Sequence, residues 1–497
     1  MKKISSRTSI FLFLSIAVIG LFSIRFFMLR KSAYPSGLDG YYYALQAKSL
    51  VQNGQLENPD SAPGFYLCGL MTWLTGDAIT GCKAWAALAS VLLSVSVFTL
   101  LMVLIQNRYR IPCAVAGFML SAASPSLAQL TINFINNETG LFFFLFYAAA
   151  FISLLRSICT EPLSKKRFFH LLFPVFGTII LLVLCCISHL VTAAYALIFT
   201  AVLIAQKVPR RIRIWTIPAV CAAAGFCFFR QLPRFAQVFA FGPILPVFSV
   251  FFRNRLPFSL VLEISLAFCV TWGSAIFFCI RKKHCPLYVI FVPILFFPFW
   301  NLSILDMGYR MFLSAIPCGI VSVVYIASVL LRNKRLSGFR VPATAAAVVL
   351  CGGAFLSTMV YDPKHDPPYR YYKSIAQKVV LSDDSLLIAH LGLNHVYTYY
   401  QNLRMSLNYI PDFPIPAEKL WRLAYGVRRS AVENCFPETD AATLANLVRR
   451  IDAHYLLIRE DLWQEFLKRE DPEIAATYQN WYNPYTVRPA FIRKKVK

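Results

Sequence analysis

The sequence predicts an all-α polytopic membrane domain of about eleven transmembrane helices, followed by a small C-terminal α/β domain outside the membrane. Of its 497 residues, 58% are hydrophobic and 15% are charged, whereas soluble proteins carry about 25% charged residues. Only eight of the 24 acidic residues lie in the first 360 positions. A stretch this long and this poor in charge excludes a soluble enzyme, a disordered chain and a disulfide scaffold.

The formal net charge of +25 is concentrated in the predicted membrane domain, where 30 basic residues stand against eight acidic ones. Twenty of these basic residues lie in short loops on one face of the predicted topology. The positive-inside rule makes that face cytoplasmic, so the N-terminus is predicted inside and the tail outside. We therefore expect a multi-pass protein of the plasma membrane, with a bacterial inner membrane favoured, and no nucleic-acid partner.

The first predicted span, residues 10–29, is interpreted as an uncleaved helix, because it is too long for a signal peptide. Ten further apolar runs follow it. They cover residues 84–105, 112–130, 140–155, 171–187, 190–206, 214–229, 259–280, 286–302, 311–331 and 341–360. Several are shorter than the ~20 residues that a perpendicular span needs, which leaves tilting or a re-entrant segment open.

Two segments outside these runs complete the predicted domain organisation. Residues 1–360 form the membrane domain, with a long first outer loop at 31–83, and residues 361–497 form the soluble domain. Within the loop, the Tyr-rich stretch 41–51 predicts an amphipathic helix suited to the membrane interface. The tail alternates helical patterns with short β-type runs. The helical patterns are 369–380, 440–451 and 460–469, and the β-type runs are 386–389 and 454–458.

Three charged residues at predicted outer span ends are candidates for a functional site, and each also has a structural interpretation. Asp39 suits the N-cap of the 41–51 helix. Glu138 suits the positive end of the fourth span, with Asn136 as its cap. Arg310 can extend from the end of its span into water. Alternatively, carboxylates at a lipid boundary bind metal, and a guanidinium holds phosphate oxygens.

The arrangement of these residues resembles the GT-C class of membrane glycosyltransferases, and within it the catalytic subunit of oligosaccharyltransferases. The segment Gly37–Tyr42 is similar to that class's first-loop segment with a catalytic Asp. The run Asn136–Glu138 is similar to its second acidic motif, with Asn where the family has Asp. Arg310 and Pro317 keep the spacing of a later Arg and Pro. In the family, a Trp-Trp-Asp motif of the soluble domain recognises the acceptor sequon. Residues 387–395 lie where this motif is expected, and they do not contain it.

The resemblance implies transfer of a sugar or glycan from a polyprenyl phosphate or diphosphate donor to an unknown extracytoplasmic acceptor. It implies that Asp39 and Glu138 are catalytic and that Arg310 contacts the donor's phosphate. It also implies a Mg²⁺ or Mn²⁺ ion held by Asp39, Glu138 and Asn136. Hard oxygen ligands suit these ions, and a cation at the leaving phosphate stabilises its growing charge. Membrane lipids are the remaining expected partners.

Four further residues are possible secondary members of this site. Glu263 could replace the missing ligand carboxylate, or could serve a helix dipole. Arg230 and Arg234, together with Arg253 and Arg255, could contact phosphate or lipid headgroups. His189 lies at a tight outer turn, where a structural role is favoured over that of a base.

Two other functions stay open at this point. A transporter or flippase of a lipid-linked or polar substrate would usually show repeated halves and polar residues near the membrane midplane, and neither is visible in the sequence. A non-catalytic assembly partner would use the tail as a docking module.

Overall fold

The computed structural model describes just over half of the chain. The described residues are 6–37, 39–57, 60, 62–160, 165–207, 263, 307–331, 369–378, 387–389, 393–401, 455–459, 478–482 and 490–495. Backbone contacts divide the chain into two units. The first unit joins Met1–Ala33 to Asn58–Pro363, and the second joins Tyr34–Glu57 to Lys364–Lys497. We call them the membrane unit and the outer-loop–tail unit.

The described part of the membrane unit is helical. Its helices, with α2 of the other unit given in its place in the chain, are α1 Ser6–Arg30, α2 Gly40–Asn53, α3 Pro63–Thr75, α4 Ala78–Leu104, α5 Arg110–Ala123, α6 Pro125–Asn133, α7 Ile135–Thr160, α8 Lys165–Ser188, α9 Leu190–Lys207 and α10 Met307–Leu331. In the described residues, α4, α7 and α8 are long and apolar enough to cross a membrane, and α5 with α6 qualifies as a bent pair. The chain is therefore a membrane protein with several apolar helices.

Seven of the eleven predicted spans coincide with these helices or with the bent pair. Helix α4 lies at the centre and packs against α1, α3, α5 and α7. The other four predicted spans lie outside the described residues, apart from Glu263. The total number of spans and the orientation of the chain stay predictions.

The third predicted span, residues 112–130, is not one continuous helix. Helices α5 and α6 meet at Ser124–Pro125 with a bend of 55°. Proline has no N–H to donate and disfavours helical geometry in the residue before it. Ser124 accordingly has an extended backbone (φ −68°, ψ 119°), and its hydroxyl oxygen accepts a hydrogen bond from the Leu127 N–H at 3.1 Å. The Ser124 hydroxyl therefore caps α6, and this hydrogen bond stabilises the break between α5 and α6.

A tight hairpin joins α3 to α4 in the first outer loop. Asp77 caps α4 by accepting a hydrogen bond from the Thr80 N–H at 2.7 Å. The two helices touch at Gly81, where a β-carbon would lie 2.5 Å from the backbone of Thr72. One face of α3 packs inward, whereas the opposite face leaves Trp73 69% exposed. Helix α3 thus packs beside the spanning helix α4 and keeps an exposed apolar face, as an interfacial helix would.

The outer-loop–tail unit combines α2 with the described elements of the tail. These are α11 Tyr369–Lys378, β1 Leu387–Ala389, α12 Leu393–Gln401, β2 Tyr455–Arg459, β3 Tyr478–Tyr482 and β4 Ala490–Lys495. The strands form one sheet in the order β1-β2-β4-β3. Strand β1 pairs parallel to β2, with Leu387 opposite Tyr455, and the other two pairings are antiparallel. The predicted patterns at 440–451 and 460–469 lie outside the described residues.

Helix α2 is present where the Tyr-rich stretch 41–51 predicts it, but its aromatic face does not face the membrane interface. Tyr41 is 1% exposed and Tyr43 is 7% exposed. The ring of Tyr41 packs edge-on against Tyr369 of α11 and Tyr399 of α12, at centroid distances of 4.8 and 5.4 Å. Tyrosine rings suit a protein contact as well as a lipid interface, and here the tail takes them up. This corrects the interfacial prediction.

Candidate active site

Asp39 immediately precedes α2, in the N-cap position that the sequence predicts. Its carbonyl accepts a hydrogen bond from the Tyr43 N–H at 3.1 Å. Its carboxylate, however, makes no capping hydrogen bond to the first amides of α2. Asp77, the corresponding residue of α4, does cap its helix. The carboxylate of Asp39 is therefore not used for the structural role that the N-cap interpretation assigns to it.

Further along α2, the contacts with the tail in the outer-loop–tail unit are aromatic and basic. The Lys48 ammonium lies 4.9 Å from the Tyr399 ring centroid and donates to the Tyr399 carbonyl at 2.6 Å. Burial lowers the pKa of Lys48, an effect that Glu57 partly offsets. Burial also lowers the pKa of His395 to about 4, so this imidazole is neutral at physiological pH.

Glu138 lies in the first turn of α7, as predicted, and is completely buried. Its Oε1 accepts a hydrogen bond from the Thr131 hydroxyl of α6 at 2.7 Å. Its Oε2 has no hydrogen-bond donor among the described residues. A buried carboxylate oxygen without a donor is costly unless another group binds it.

Arg25 is the charged residue that accompanies Glu138, and no pattern in the sequence marks it as a site residue. Arg25 is 1% exposed in the C-terminal half of α1, and its Nη2 donates to the Ala122 carbonyl at 2.9 Å. That carbonyl belongs to the last turn of α5, where carbonyls lack helical partners. The guanidinium also interacts electrostatically with Glu138. A second buried cation, Lys83, donates to the Ser32 carbonyl at 2.5 Å.

Asn136 and Asn137 precede Glu138 in α7, and their side chains have different environments. The side-chain oxygen of Asn136 occupies the space that a β-carbon at position 64 would need, so α3 approaches α7 closely only because residue 64 is glycine. Asn137 is 2% exposed, and its Nδ2 has no acceptor among the described residues. Trp85 of α4 completes this corner by donating to the Thr139 hydroxyl at 3.2 Å.

Glu263 reaches the start of α6. Its Oε2 accepts a hydrogen bond from the Ser126 N–H at 3.0 Å. Ser126 is the second residue of α6, so a negative charge lies at the positive end of this helix, where it is stabilising. Glu263 therefore has the helix-dipole role that the sequence left open. The helix that it stabilises is α6, however, and not its own predicted span. The break between α5 and α6 has Arg25 at its carbonyl end and Glu263 at its amide end.

The donor chemistry at Glu138 suits a hard divalent cation, since a carboxylate oxygen without a donor and a neighbouring amide oxygen are ligand types that Mg²⁺ and Mn²⁺ accept. Within the described ranges, no three His, Cys, Asp or Glu side chains lie close enough to hold a metal. Any ion at Glu138 would therefore be completed by amides, by water or by substrate phosphates, as is common for Mg²⁺.

The remaining predicted site residues divide into those that the structure describes and those that it does not. Arg310 lies in the first turn of α10, but its side chain is outside the described part of the chain. Arg230, Arg234, Arg253 and Arg255 also lie outside it. His189 ends the turn between α8 and α9, where its Nδ1 accepts from the Val191 N–H at 3.2 Å. This contact is a helix-capping one.

Comparison with known proteins gives no match to a protein-family model or to a curated protein sequence. Solved structures, in contrast, match over nearly the whole chain. The apo oligosaccharyltransferase of Archaeoglobus fulgidus has a TM-score of 0.57 and 12% identity, covering 100% of this chain and 75% of that chain. Apo ArnT from Cupriavidus metallidurans has a TM-score of 0.54 and 13% identity, covering 98% of both chains.

Two ligand-bound structures also match, with slightly lower TM-scores. One is the archaeal oligosaccharyltransferase AglB from Archaeoglobus fulgidus in complex with an inhibitory peptide and a dolichol-phosphate, at a TM-score of 0.52 and 11% identity. The other is the same ArnT bound to undecaprenyl phosphate, at a TM-score of 0.53 and 12% identity. At these identities the likeness concerns the fold. It confirms the resemblance to GT-C membrane glycosyltransferases that the short motifs predict.

Proposed function

We propose that this protein transfers a sugar or glycan from a polyprenyl phosphate or diphosphate donor to an acceptor outside the cytoplasm. One observation carries the proposal. Glu138, which matches the second acidic motif of the resembling class, is a fully buried carboxylate whose Oε2 has no donor among the described residues. Such an oxygen is costly in a purely structural protein but is required of a ligand to a catalytic ion.

The chemistry proposed is a displacement at the anomeric carbon of the donor sugar. The acceptor's nucleophilic atom forms a bond to this carbon while the bond from the carbon to the phosphate oxygen breaks. The electron pair of the broken bond stays on the lipid phosphate, and the acceptor's proton passes to the carboxylate of Asp39. Asp39 suits this role because a carboxylate within hydrogen-bond reach of the acceptor can take up its proton.

The growing negative charge on the leaving phosphate needs a cation. A bound Mg²⁺ or Mn²⁺ would supply that charge stabilisation, with Glu138, Asn136 and Asp39 as the proposed ligands. Arg310 is proposed to hold the phosphate by its guanidinium. Thr131 fixes the Glu138 carboxylate from one side through the hydrogen bond to Oε1, which leaves Oε2 for the ion.

The test uses the full chain in nanodiscs and radiolabelled lipid-linked sugars extracted from membranes of the expression host. With water as the acceptor, we expect the wild type to hydrolyse the donor and release label into the aqueous phase in the presence of Mg²⁺ or Mn²⁺. Asp39→Asn and Glu138→Gln should each lower the rate by roughly 100-fold or more, the usual contribution of a positioned proton acceptor or charge stabiliser. Glu57→Gln, an acid of the same outer loop, is the matched control and should keep the wild-type rate.

A flippase is the second candidate, and the broken span α5–α6 favours it, because transporters often bind substrates at interrupted helices. The two functions differ in whether the donor is cleaved. A flippase moves a fluorescent polyprenyl phosphate across liposomes without releasing sugar, and Asp39→Asn leaves that movement unchanged. Movement without any release of label, from a correctly folded chain, would contradict the transferase proposal.

A further inference from the structure

The turn that carries Asp39 is held by a tyrosine of the tail. Tyr369, the first residue of α11, donates its hydroxyl hydrogen to the Gly37 carbonyl at 2.6 Å, and this hydrogen bond is buried. Gly37 has φ of 73°, a conformation that residues with a side chain rarely adopt. The hydrogen bond therefore fixes a specific backbone turn two residues before Asp39, across a separation of 332 residues in the chain.

A second contact fixes the chain two residues after Asp39. Tyr41 is 1% exposed, and its ring lies edge-on to the Tyr369 ring at 4.8 Å. Its hydroxyl is 2.9 Å from that of Tyr400 in α12. The backbone of Asp39 is thus restrained on both sides by aromatic residues of the tail.

The space around the turn is also restricted. Gly40 packs on Pro35 so closely that a β-carbon there would lie 2.6 Å from the Pro35 side chain. The turn has little freedom to relax if one of its restraints is lost. Tyr369 contributes to two of them, because its hydroxyl holds Gly37 while its ring holds Tyr41.

We propose that Tyr369 is a positioning residue for Asp39, and that the tail is for this reason part of the catalytic apparatus rather than an appended module. The inference rests on the proposed function, in which Asp39 accepts the acceptor's proton. A proton acceptor must lie within hydrogen-bond reach of the proton it takes, so a shift of about 1 Å in the turn can cost about 100-fold in rate.

The experiment compares Tyr369→Phe with Tyr399→Phe in the full chain in nanodiscs. The first variant removes only the hydroxyl that holds Gly37 and keeps the ring against Tyr41. The second removes a hydroxyl from another ring that packs on Tyr41. In Tyr369→Phe we expect amide hydrogen exchange of residues 37–43 to be about tenfold faster, the factor for losing one buried hydrogen bond. Exchange of α12 should not change, and Tyr399→Phe should resemble the wild type.

Label release from the extracted lipid-linked sugars gives the second readout. Tyr369→Phe should lower kcat at least tenfold and leave KM for the lipid-linked donor unchanged, because Asp39 acts on the acceptor in the transition state. Faster exchange with a wild-type kcat would show that the tyrosine is only structural and would overturn the inference. Unchanged exchange in residues 37–43 would overturn it as well.

The failure of this inference and that of the proposed function give different results. A wild type that releases no label overturns the proposed function, and the positioning role falls with it. Wild-type release that is abolished by Asp39→Asn but unaffected by Tyr369→Phe overturns the positioning role alone.

Discussion

Replacing Arg25 by methionine should destabilise the membrane unit by about 3–5 kcal/mol, the usual cost of removing one partner of a buried charge pair. Arg25 is 1% exposed, donates to the Ala122 carbonyl at the end of α5, and interacts electrostatically with the fully buried Glu138. Methionine fills similar space without the charge. It leaves both the carbonyl and the carboxylate without this cation.

The interaction between the two charges can be isolated by a double-mutant cycle. Glu138→Gln keeps an oxygen that can accept from Thr131, so its own cost should be about 1–3 kcal/mol. When Arg25→Met and Glu138→Gln are combined, the buried carboxylate is no longer left without its countercharge. The double variant should therefore cost about 1–3 kcal/mol less than the sum of the single variants.

The assay follows the labelling of a buried thiol in the membrane unit of the full chain. Cys113 is free, buried and located on α5, the helix whose end Arg25 holds. Its rate of reaction with a maleimide reports the free energy of opening of this region. Additivity of the two substitutions within about 0.5 kcal/mol would refute the coupling.

Three further predictions concern other parts of the fold. Thr131→Val removes the hydroxyl that donates to Glu138. It should lower the free energy of opening reported by Cys113 labelling by about 1–3 kcal/mol, and an unchanged labelling rate would contradict the hydrogen bond. Gly81→Ala puts a β-carbon 2.5 Å from the backbone of Thr72. This overpacking should destabilise the fold by about 1–3 kcal/mol and lower its thermal midpoint. Ala86→Ser on the same helix is the control for added volume and should lower the midpoint less. The pKa of His395 is lowered to about 4, below the 6.5 of an unfolded imidazole, so protonation favours the unfolded state. The stability that neutral His395 contributes is complete above pH 6.5 and is lost as the pH falls toward 4. The ring keeps some solvent contact, so we expect a loss of about 2 kcal/mol rather than the full ~3. Urea unfolding of the full chain at pH 7.5 and 4.5, followed by tail tyrosine fluorescence, should show this loss, and His395→Gln should reduce it.

Local patterns in the sequence predicted the elements that depend on neighbouring residues. The apolar runs placed α4, α7 and α8, because burial of a helix in lipid requires a continuous apolar stretch. Asp39 and Glu138 were placed at helix starts by their residue types. Both positions are found in the structure, at the N-cap of α2 and in the first turn of α7.

The contacts between distant residues could not be predicted in this way. Arg25 lies four residues before the end of a predicted span, where an arginine that reaches out to water looks the same in sequence as one that is buried. Glu263 pairs with Ser126 across 137 residues, and no local pattern records that distance. One local signal was available and was not used: Pro125, inside a predicted span, indicates the break between α5 and α6.

The position of Arg25 has a consequence for the order in which the protein is assembled. During synthesis, α1, which is a predicted span, is made 97 residues before Ala122, a delay of roughly 5–20 s at ordinary rates of translation. Throughout that interval the guanidinium has neither of its later partners. An arginine at the centre of a membrane helix costs about 2.5–3.5 kcal/mol to insert, and Arg25, near the end of its helix, carries a part of this cost. The arrival of α5 and α7 relieves this cost. Helix α1 is therefore inserted before Arg25 has a partner. Because docking of the later helices removes this cost, it favours their packing on α1 over their dispersal in the lipid.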